Sequence, residues 1–217
     1  MKLHEADEAC YAIPMTDSSR TELMQAIKEE LLAFKESPLY EYRTTNKYHP
    51  VIGEGSHEAK IVFIGEAPGK NEAEQGKPFC GASGRVLDKL LATVELERKD
   101  TYVTNIVKDR PPENRDPSLE EIKLYGPFLN RQLDIIQPKV IATLGRFSMD
   151  YVMRLFGLDL EIEPISKAHG KVYTAKASWG EVTIIPLYHP AAALYNGSMI
   201  KTLEQDFQVI KKFAYTL

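Results

Sequence analysis

The stretch Ile64-Gly65-Glu66-Ala67-Pro68-Gly69 ends an apolar run with a turn of glycine and proline, and Gly76-Lys77-Pro78-Phe79-Cys80-Gly81 follows it closely. A short apolar run bounded by turn residues predicts a strand buried in a parallel sheet. Just beyond this strand come a carboxylate and then an aromatic ring in a loop bounded by glycines. This arrangement predicts a site for a flat polar ring.

Strands and helices alternate after this first strand. The predicted main strands cover residues 60–64, 102–107, 140–144 and 182–187, and a strand or hairpin arm is predicted at 171–174. The segments between them carry apolar residues at helical spacing, and parallel strands joined by right-handed crossovers are the expected result. We therefore predict an α/β fold, a three-layer α/β/α sandwich with a central, mainly parallel four-stranded sheet.

The remaining segments and the length of the chain indicate one domain. Residues 1–16 have little period and are predicted to form an N-terminal arm, a helix is expected behind an N-cap at Asp17-Ser18-Ser19, and residues 37–59 are predicted as an irregular loop. A chain of 217 residues with 43% hydrophobic content is long enough for one sizeable core. Residues 17–217 are therefore expected to be a single domain, and we expect a monomer.

Hydropathy, cysteine content and charge exclude several classes of protein. No apolar segment approaches the ~20 residues needed to cross a bilayer, so we expect a cytoplasmic protein that does not bind a membrane. Cys10 and Cys80 are too few for a disulfide framework or a four-thiolate metal site. The formal net charge of -4 argues against binding polyanions by net charge, so any contact with nucleic acid must be concentrated on one face.

Polar side chains follow three of the predicted strands at the point where each strand ends. Glu66 follows the first strand, Asn105 lies near the end of the second, and His189 follows the fourth. In open parallel sheets ligands bind beyond the carboxyl ends of the strands, where the loops converge. Three separate connections are therefore expected to meet in one crevice.

These motifs, taken in order, resemble the pattern of the uracil-DNA glycosylase superfamily, most closely its family 4 type. The pattern is Gly-Glu-Ala-Pro-Gly at 65–69, Gly-x-Pro-Phe-x-Gly at 76–81, Thr104-Asn105 and His189-Pro190, and the resemblance extends over residues 20–215. It implies a monofunctional enzyme of base-excision repair that hydrolyses the N-glycosidic bond of uracil in DNA. The target base is then flipped out of the stack into a pocket, because it cannot be reached inside a duplex.

Three residues have side chains suited to binding that base. The amide of Asn105 presents a donor and an acceptor that match one ring N–H and the adjacent carbonyl of uracil, although a Thr-Asn pair alone is more typical of a turn. His189 can donate a hydrogen bond to the base oxygen on which charge develops, although an isolated histidine is more often structural. Phe79 can stack on the extruded base, although a lone phenylalanine is usually core.

Further site residues are predicted around them. The resemblance assigns Gly65 to the base pocket and makes Glu66 and Glu72 catalytic carboxylates, without deciding which of the two positions water. Other branches of the superfamily place aspartate at the position of Ala67, so this carboxylate is missing here. Asn114 matches a position that supports the carboxylates, and an ordinary turn residue is an equally good interpretation of it.

Contacts with DNA are predicted from an apolar side chain and from cations. Leu194 would be the wedge of a loop that enters the duplex, or else a half-buried loop residue. Lys108, Arg110 and Arg115, together with Lys70, are predicted to contact phosphates around the mouth of the pocket. A scatter of charges of this size is also typical of a solvated surface.

The resemblance fails at the iron-sulfur cluster that family 4 enzymes hold with four cysteines. The corresponding positions carry Phe34, Ser37, Asp109 and Tyr125, which offer no thiolate for such a cluster. We therefore expect a clusterless relative with no metal and no cofactor, in which Phe34 and Tyr125 fill the space. In addition, Tyr195 stands where the family usually has arginine.

Three alternative functions stay open from the sequence. The chain could be a glycosylase for another deaminated or oxidised base, because the remaining pocket walls cannot be identified. It could be a non-catalytic binder of uracil-containing or damaged nucleic acid, which the absence of aspartate at position 67 favours. It could also be a flavodoxin-like nucleotide-binding protein that uses the glycine-rich turn for a phosphate.

Overall fold

A computed structural model describes residues 16–214 of the chain. The N-terminal arm predicted for residues 1–16 lies outside the described residues except for Thr16, and Cys10 lies outside them as well. Thr16 caps the first helix, since its side chain accepts a hydrogen bond of 3.2 Å from the backbone N–H of Ser19. The predicted cap at 17–19 was therefore wrong, because Asp17 is already the first helical residue.

The helices and strands are numbered in chain order. The strands are β1 (Glu54–Gly55), β2 (Ile61–Gly65), β3 (Tyr102–Asn105), β4 (Val140–Leu144), β5 (Tyr173–Ala177) and β6 (Gly180–Leu187). The helices are α1 (Asp17–Ala33), α2 (Tyr40–Thr45), α3 (Lys70–Gln75), α4 (Ala82–Thr93), α5 (Leu119–Ile136), α6 (Arg146–Leu155), α7 (Ile165–Ala168), α8 (Ala192–Tyr195) and α9 (Met199–Ala214). Among residues 16–214, no helix is long and apolar enough to cross a bilayer.

The strands form one sheet in the order β1-β3-β2-β4-β6-β5. The four central strands are parallel and are the four that the sequence predicted. The count of four was nevertheless wrong, because β1 and β5 add antiparallel edges and make a sheet of six strands. The predicted arm at 171–174 is the start of β5, whereas β1 has only two residues and therefore no apolar period that could predict it.

Helices cover both faces of this sheet, so the predicted three-layer sandwich is confirmed. Alternate residues of β2 enter separate core clusters, with Val62 and Ile64 on the face of α1, α5 and α6, and Ile61 and Phe63 on the face of α4 and α9. Because side chains alternate between the two faces of a strand, a strand buried on both faces must be apolar throughout. Phe63 stacks on Phe207 of α9 at a centroid distance of 5.8 Å.

The segments that connect the main strands contain further local structure. A capping box starts α5, because Glu121 N–H donates to Ser118 Oγ (3.1 Å) and Ser118 N–H donates to the Glu121 carboxylate (2.8 Å). The segment 37–59, predicted as an irregular loop, contains α2 and β1. Both elements are short, which explains why spacing did not reveal them.

Candidate active site

A cavity of about 270 Å³ lies at the carboxyl ends of the central strands. Among the residues that line it are Glu66, Glu72, Phe79, Asn105, Asn114, Arg115 and His189. The expectation that loops after three different strands meet in one crevice is therefore confirmed. The small volume suits a single ring, since pockets for drug-sized ligands span roughly 300–1,000 Å³.

Asn105 presents a free amide to this cavity. It is the last residue of β3, lies opposite Gly65 in the parallel pair of β2 and β3, and is only 2% exposed. Within residues 16–214 its side-chain amide makes no hydrogen bond, although a buried amide normally has a partner. Gly65 allows this close packing, because a Cβ there would overlap Asn105 Oδ1 and lie 2.7 Å from Phe79 Cζ.

Phe79 is held in a conformation that L-residues rarely adopt. Its φ of 49° lies in the left-handed region, which costs about 1–3 kcal/mol for a residue other than glycine. Arg98 donates to the carbonyls of Pro78 (3.2 Å) and Phe79 (3.0 Å), and Gly84 leaves room for the Phe79 carbonyl. The surroundings therefore fix the ring, which stacks on His189 with centroids 5.7 Å apart and an interplanar angle of 29°.

Glu72 also holds the loop that carries Phe79. One carboxylate oxygen accepts a hydrogen bond of 2.8 Å from the backbone N–H of Gly81. Glu72 is only 8% exposed, and a Cβ at Gly69 would lie 2.7 Å from its other oxygen. One oxygen of Glu72 is thus engaged in holding the loop that carries Phe79.

His189 is neutral and has a defined tautomer. Burial lowers its pKa to about 4, so the imidazole carries no charge near neutral pH. The backbone N–H of Ala191 donates to Nδ1 over 3.1 Å. Because Nδ1 accepts, the ring proton resides on Nε2, which leaves His189 one N–H to donate.

The carboxyl group of Glu66 has a raised pKa. Burial is the main reason that its pKa rises to about 7, and the nearby charge of Asp116 raises it further. The charge of Arg146 and the backbone N–H of Phe147 act in the opposite direction. Gly145, with a φ of 105°, gives the carboxylate room, because a Cβ there would lie 2.5 Å from Glu66 Oε1.

Sequence reasoning missed two polar residues of the cavity wall. Asp116 lines the cavity and forms an ion pair of 2.6 Å with Arg146, whose side chain lies at the start of α6. Ser83 also lines the cavity, near the start of α4. Asp116 follows the predicted Asn114 by two positions, and this proximity was the available signal for it.

Asn114 is oriented by Arg110. Both Glu113 and Asn114 have left-handed backbone conformations, with φ of 56° and 54°. Arg110 Nε donates to Asn114 Oδ1 over 2.8 Å, and the guanidinium also donates to the hydroxyl of Tyr48 over 2.7 Å. The acceptor of the Asn114 amide is therefore occupied, and its two N–H donors are left for the cavity.

The predicted phosphate contacts divide into buried and exposed cations. Lys108 has no exposed surface and Arg110 is only 9% exposed, so their assignment to DNA phosphates was wrong. Arg115 is half exposed and makes two hydrogen bonds to Glu121, of 2.9 and 2.5 Å. Lys70 is exposed and lies 3.8 Å from Glu74, so it stays a predicted contact.

The predicted wedge lies on a short exposed helix. Leu194 is 50% exposed and belongs to α8, which follows His189 closely. Tyr195, the next residue, is 92% exposed. An apolar side chain that protrudes beside the cavity has the placement that a wedge requires, and its role in DNA binding stays a prediction.

Phe34, Ser37, Asp109 and Tyr125, which the resemblance places at the positions of cluster cysteines, meet in a buried network of oxygen atoms and rings. The hydroxyl of Tyr125 lies 2.6 Å from Ser37 Oγ and 2.5 Å from Asp109 Oδ2, and Phe34 packs edge-on against the Tyr125 ring at 5.6 Å. Arg43 donates to both oxygens of Asp109, at 3.0 and 3.2 Å. These oxygens already have partners and no thiolate is among them, so the residues do not fit an iron-sulfur cluster.

Possible metal ligands are not clustered elsewhere in the described part of the chain. Cys80 is the one cysteine within residues 16–214, and it lies beside Phe79 rather than in the network. No group of three or more His, Cys, Asp or Glu side chains in that range is arranged to hold a metal ion.

Comparisons with known proteins identify the family of this chain. The sequence model of the Uracil DNA glycosylase superfamily matches residues 52–213. The chain belongs to this superfamily.

Several similar relatives are type-4 uracil-DNA glycosylases. The one from Sulfurisphaera tokodaii is 45% identical over 194 residues, covering 89% of this chain and 86% of that protein. The one from Archaeoglobus fulgidus is 44% identical over 190 residues, with coverage of 87% and 92%. The one from Saccharolobus solfataricus is 42% identical over 190 residues, with coverage of 87% and 85%.

Proposed function

We propose that this protein is a monofunctional uracil-DNA glycosylase, which hydrolyses the N-glycosidic bond of uracil in DNA. The observation that carries the proposal is the convergence of Phe79, Asn105 and His189 on one small cavity. A stacking ring, an amide without a protein partner and a neutral imidazole are the groups needed to bind uracil and stabilise it as a leaving group. The names of the type-4 relatives support the same activity.

Recognition of uracil rests on the amide of Asn105. Its acceptor and donor match a ring N–H and an adjacent carbonyl of uracil, while cytosine presents the reverse pattern. Binding cytosine would leave buried polar groups unpaired, at about 1–3 kcal/mol per group. Phe79 stacks on the ring of either base, so the amide and not the stacking contact provides the discrimination.

Departure of the base is assisted by His189. When the bond between N1 of uracil and C1′ of the sugar breaks, the electron pair stays with the base and charge develops on its oxygens. The Nε2–H of His189 donates to one of these oxygens, and one such donor in a dry site contributes about 3–4 kcal/mol. A neutral imidazole suffices, because it acts as a hydrogen-bond donor and keeps its proton.

Water is positioned by Glu66. The water oxygen bonds to C1′ as the base leaves, and the ionised carboxylate accepts the proton of this water. With a pKa of about 7, the carboxylate is ionised in half of the molecules at neutral pH. Glu66 is the better choice for this role because one oxygen of Glu72 is occupied by the Gly81 N–H, and position 67 is an alanine.

Access to the base requires DNA contacts on the rim of the cavity. Leu194 inserts into the stack as an apolar wedge, and Arg115 contacts a phosphate with the exposed part of its guanidinium. Because few cations surround the cavity and the net charge is -4, affinity for DNA depends on few phosphates. The protein acts as a single domain and as a monomer.

The enzyme works without an iron-sulfur cluster. The network of Arg43, Asp109 and Tyr125 ties α1, α2 and α5 to the loop after β3, and these are the segments that hold the positions of the missing cysteines. Purified protein is therefore expected to be colourless and free of iron. Stoichiometric iron and sulfide in active protein would contradict this part of the proposal.

An excision assay with matched variants tests the activity. Wild-type protein is incubated with end-labelled oligonucleotides that contain one uracil, in single and double strands, and abasic sites are cleaved with hot alkali. Asn105→Ala and His189→Ala are expected to lower kcat about 10²–10³-fold. Asn46→Ala, which replaces an exposed amide outside the cavity, is the control and should keep full activity.

The same assay separates this function from its alternatives. A panel of oligonucleotides with other deaminated or oxidised bases shows whether uracil is the preferred substrate. A non-catalytic binder would produce no abasic sites from any of them, and neither variant would then change the result. Wild-type protein that binds uracil-containing DNA without cleaving the glycosidic bond would refute the proposal.

A further inference from the structure

Lys108 is a buried cation that lies directly behind the base-reading residue. It has no exposed surface, and its ammonium group makes three short contacts: 2.6 Å to the Asn105 carbonyl, 2.8 Å to Thr104 Oγ1 and 2.5 Å to Gln132 Oε1. Burial alone lowers its pKa well below the usual value, and no carboxylate in the described part of the chain is paired with it. Burying such a group lowers the stability of the fold. A methionine would fill similar space without that penalty.

The three short hydrogen bonds of Lys108 connect the end of β3 to α5, and a longer one of 3.5 Å reaches the Ile52 carbonyl. Thr104 and Asn105 are consecutive in the strand, so their side chains lie on opposite faces of the sheet. Lys108 donates hydrogen bonds to Thr104 and Gln132 on one face of the sheet. The Asn105 amide lies on the other face, toward the cavity. The lysine thus holds the reading residue from behind without contacting the ligand.

The segment 105–108 also contacts the end of β2 and the residue that follows it. The backbone N–H of Ile106 donates to the Gly65 carbonyl over 3.1 Å, and that of Val107 donates to the Glu66 carbonyl over 3.0 Å. These two hydrogen bonds fix the position of Asn105 relative to both Gly65 and Glu66. A shift of this segment would move the reading amide against the stacking ring and the carboxylate together.

We propose that Lys108 is a positioning residue for base recognition, which holds the Asn105 amide in register with the cavity through the Asn105 carbonyl, Thr104 and Gln132. The inference rests on the proposed uracil-DNA glycosylase function. Lys108 touches neither base nor DNA, so its loss acts through Asn105. A misplacement of about 1 Å at a reacting site lowers rates about 100-fold.

Lys108→Met tests this role, because methionine fills similar space and donates no hydrogen bond. The expected result is a kcat at least tenfold lower, with inhibition by free uracil about tenfold weaker and the KM for DNA within twofold. Lys139→Met is the control, since Lys139 is exposed directly before β4, at the end of the strand opposite to the cavity, and should match wild type. A purely structural role would lower the melting temperature and leave kcat and uracil inhibition of the folded protein unchanged.

Thr104→Val serves if the first variant does not fold, because it keeps Lys108 and removes one of its acceptors. It is expected to lower kcat and weaken uracil inhibition about threefold. Folded Lys108→Met or Thr104→Val protein with wild-type kcat and uracil inhibition would overturn the proposal.

Binding of free uracil, measured by calorimetry on wild type and both variants, gives a readout that does not need turnover. If the wild type excises uracil and the variants equal it, this inference alone fails. If the wild type neither excises nor binds uracil, the proposed function fails and this inference fails with it.

Discussion

Replacing Glu66 by glutamine should stabilise the protein and remove its activity, with an effect on stability that depends on pH. The folded protein binds the Glu66 proton more tightly than the unfolded chain, because the pKa is about 7 in the fold against 4.5 as the ordinary value. The contribution of this group to stability is therefore fully present below pH 4.5 and is lost as the pH rises through 7. At 1.36 kcal/mol per pKa unit, the ionised carboxylate costs the folded state about 3 kcal/mol at pH 8.5.

Glutamine keeps the shape of the protonated side chain and cannot ionise. Glu66→Gln should therefore raise the free energy of unfolding by about 3 kcal/mol at pH 8.5 and by less than about 1 kcal/mol at pH 5, as measured by urea denaturation. Its excision rate at pH 8 should be about 10²–10⁴-fold lower, because the carboxylate that accepts the proton of water is missing. A stability change that is equal at the two pH values, or a destabilisation at pH 8.5, would refute the reasoning.

Three further substitutions test other parts of the account. Asp109→Asn leaves the buried guanidinium of Arg43 without its countercharge and should lower the free energy of unfolding by about 3 kcal/mol in urea denaturation; no loss would contradict the network. Gly65→Ala places a methyl group against the reading amide and the stacking ring, and excision should fall at least 100-fold; wild-type rates would exclude this packing. Leu194→Ala should slow excision from duplex DNA about tenfold and from single strands less than twofold. Leu160→Ala, a fully exposed control, should change neither rate. Equal losses on both substrates would exclude a wedge.

The central part of the fold could be predicted because its strands are buried on both faces. Residues 61–64 are all apolar, residues 140–144 are apolar except for Thr143, and both strands are fully buried, so their length and flanking turns identified them. The edges could not be predicted in the same way. β1 has two residues and owes its place to Gly55, whose missing side chain lets it approach the Thr101 carbonyl.

The residues around the cavity could be predicted where a motif fixes the backbone. Gly65, Phe79, Asn105 and His189 come from four separate segments, and the order of the parallel strands brings them together. Charge alone misled the prediction for Lys108, because a sequence does not tell whether a lysine faces solvent or three buried acceptors. Burial is a property of the folded chain, and so are the contacts that depend on it.

The buried network of Arg43, Asp109 and Tyr125 shows the same limit. The sequence predicts that Phe34 and Tyr125 fill space there, and the two rings do pack against each other. It does not predict that Arg43, twelve residues after Leu31, donates to the Leu31 carbonyl over 2.8 Å and to Asp109 from within the core. A buried arginine with a partner 66 positions away leaves no local signal.

The position of uracil in the cavity is the central claim, and a crystal structure with free uracil tests it most directly. We predict a uracil ring stacked on Phe79, with its edge about 2.9 Å from the Asn105 amide and one base oxygen at a similar distance from His189 Nε2. Uracil bound elsewhere on the protein, or bound in the cavity with the Asn105 amide unpaired, would contradict it.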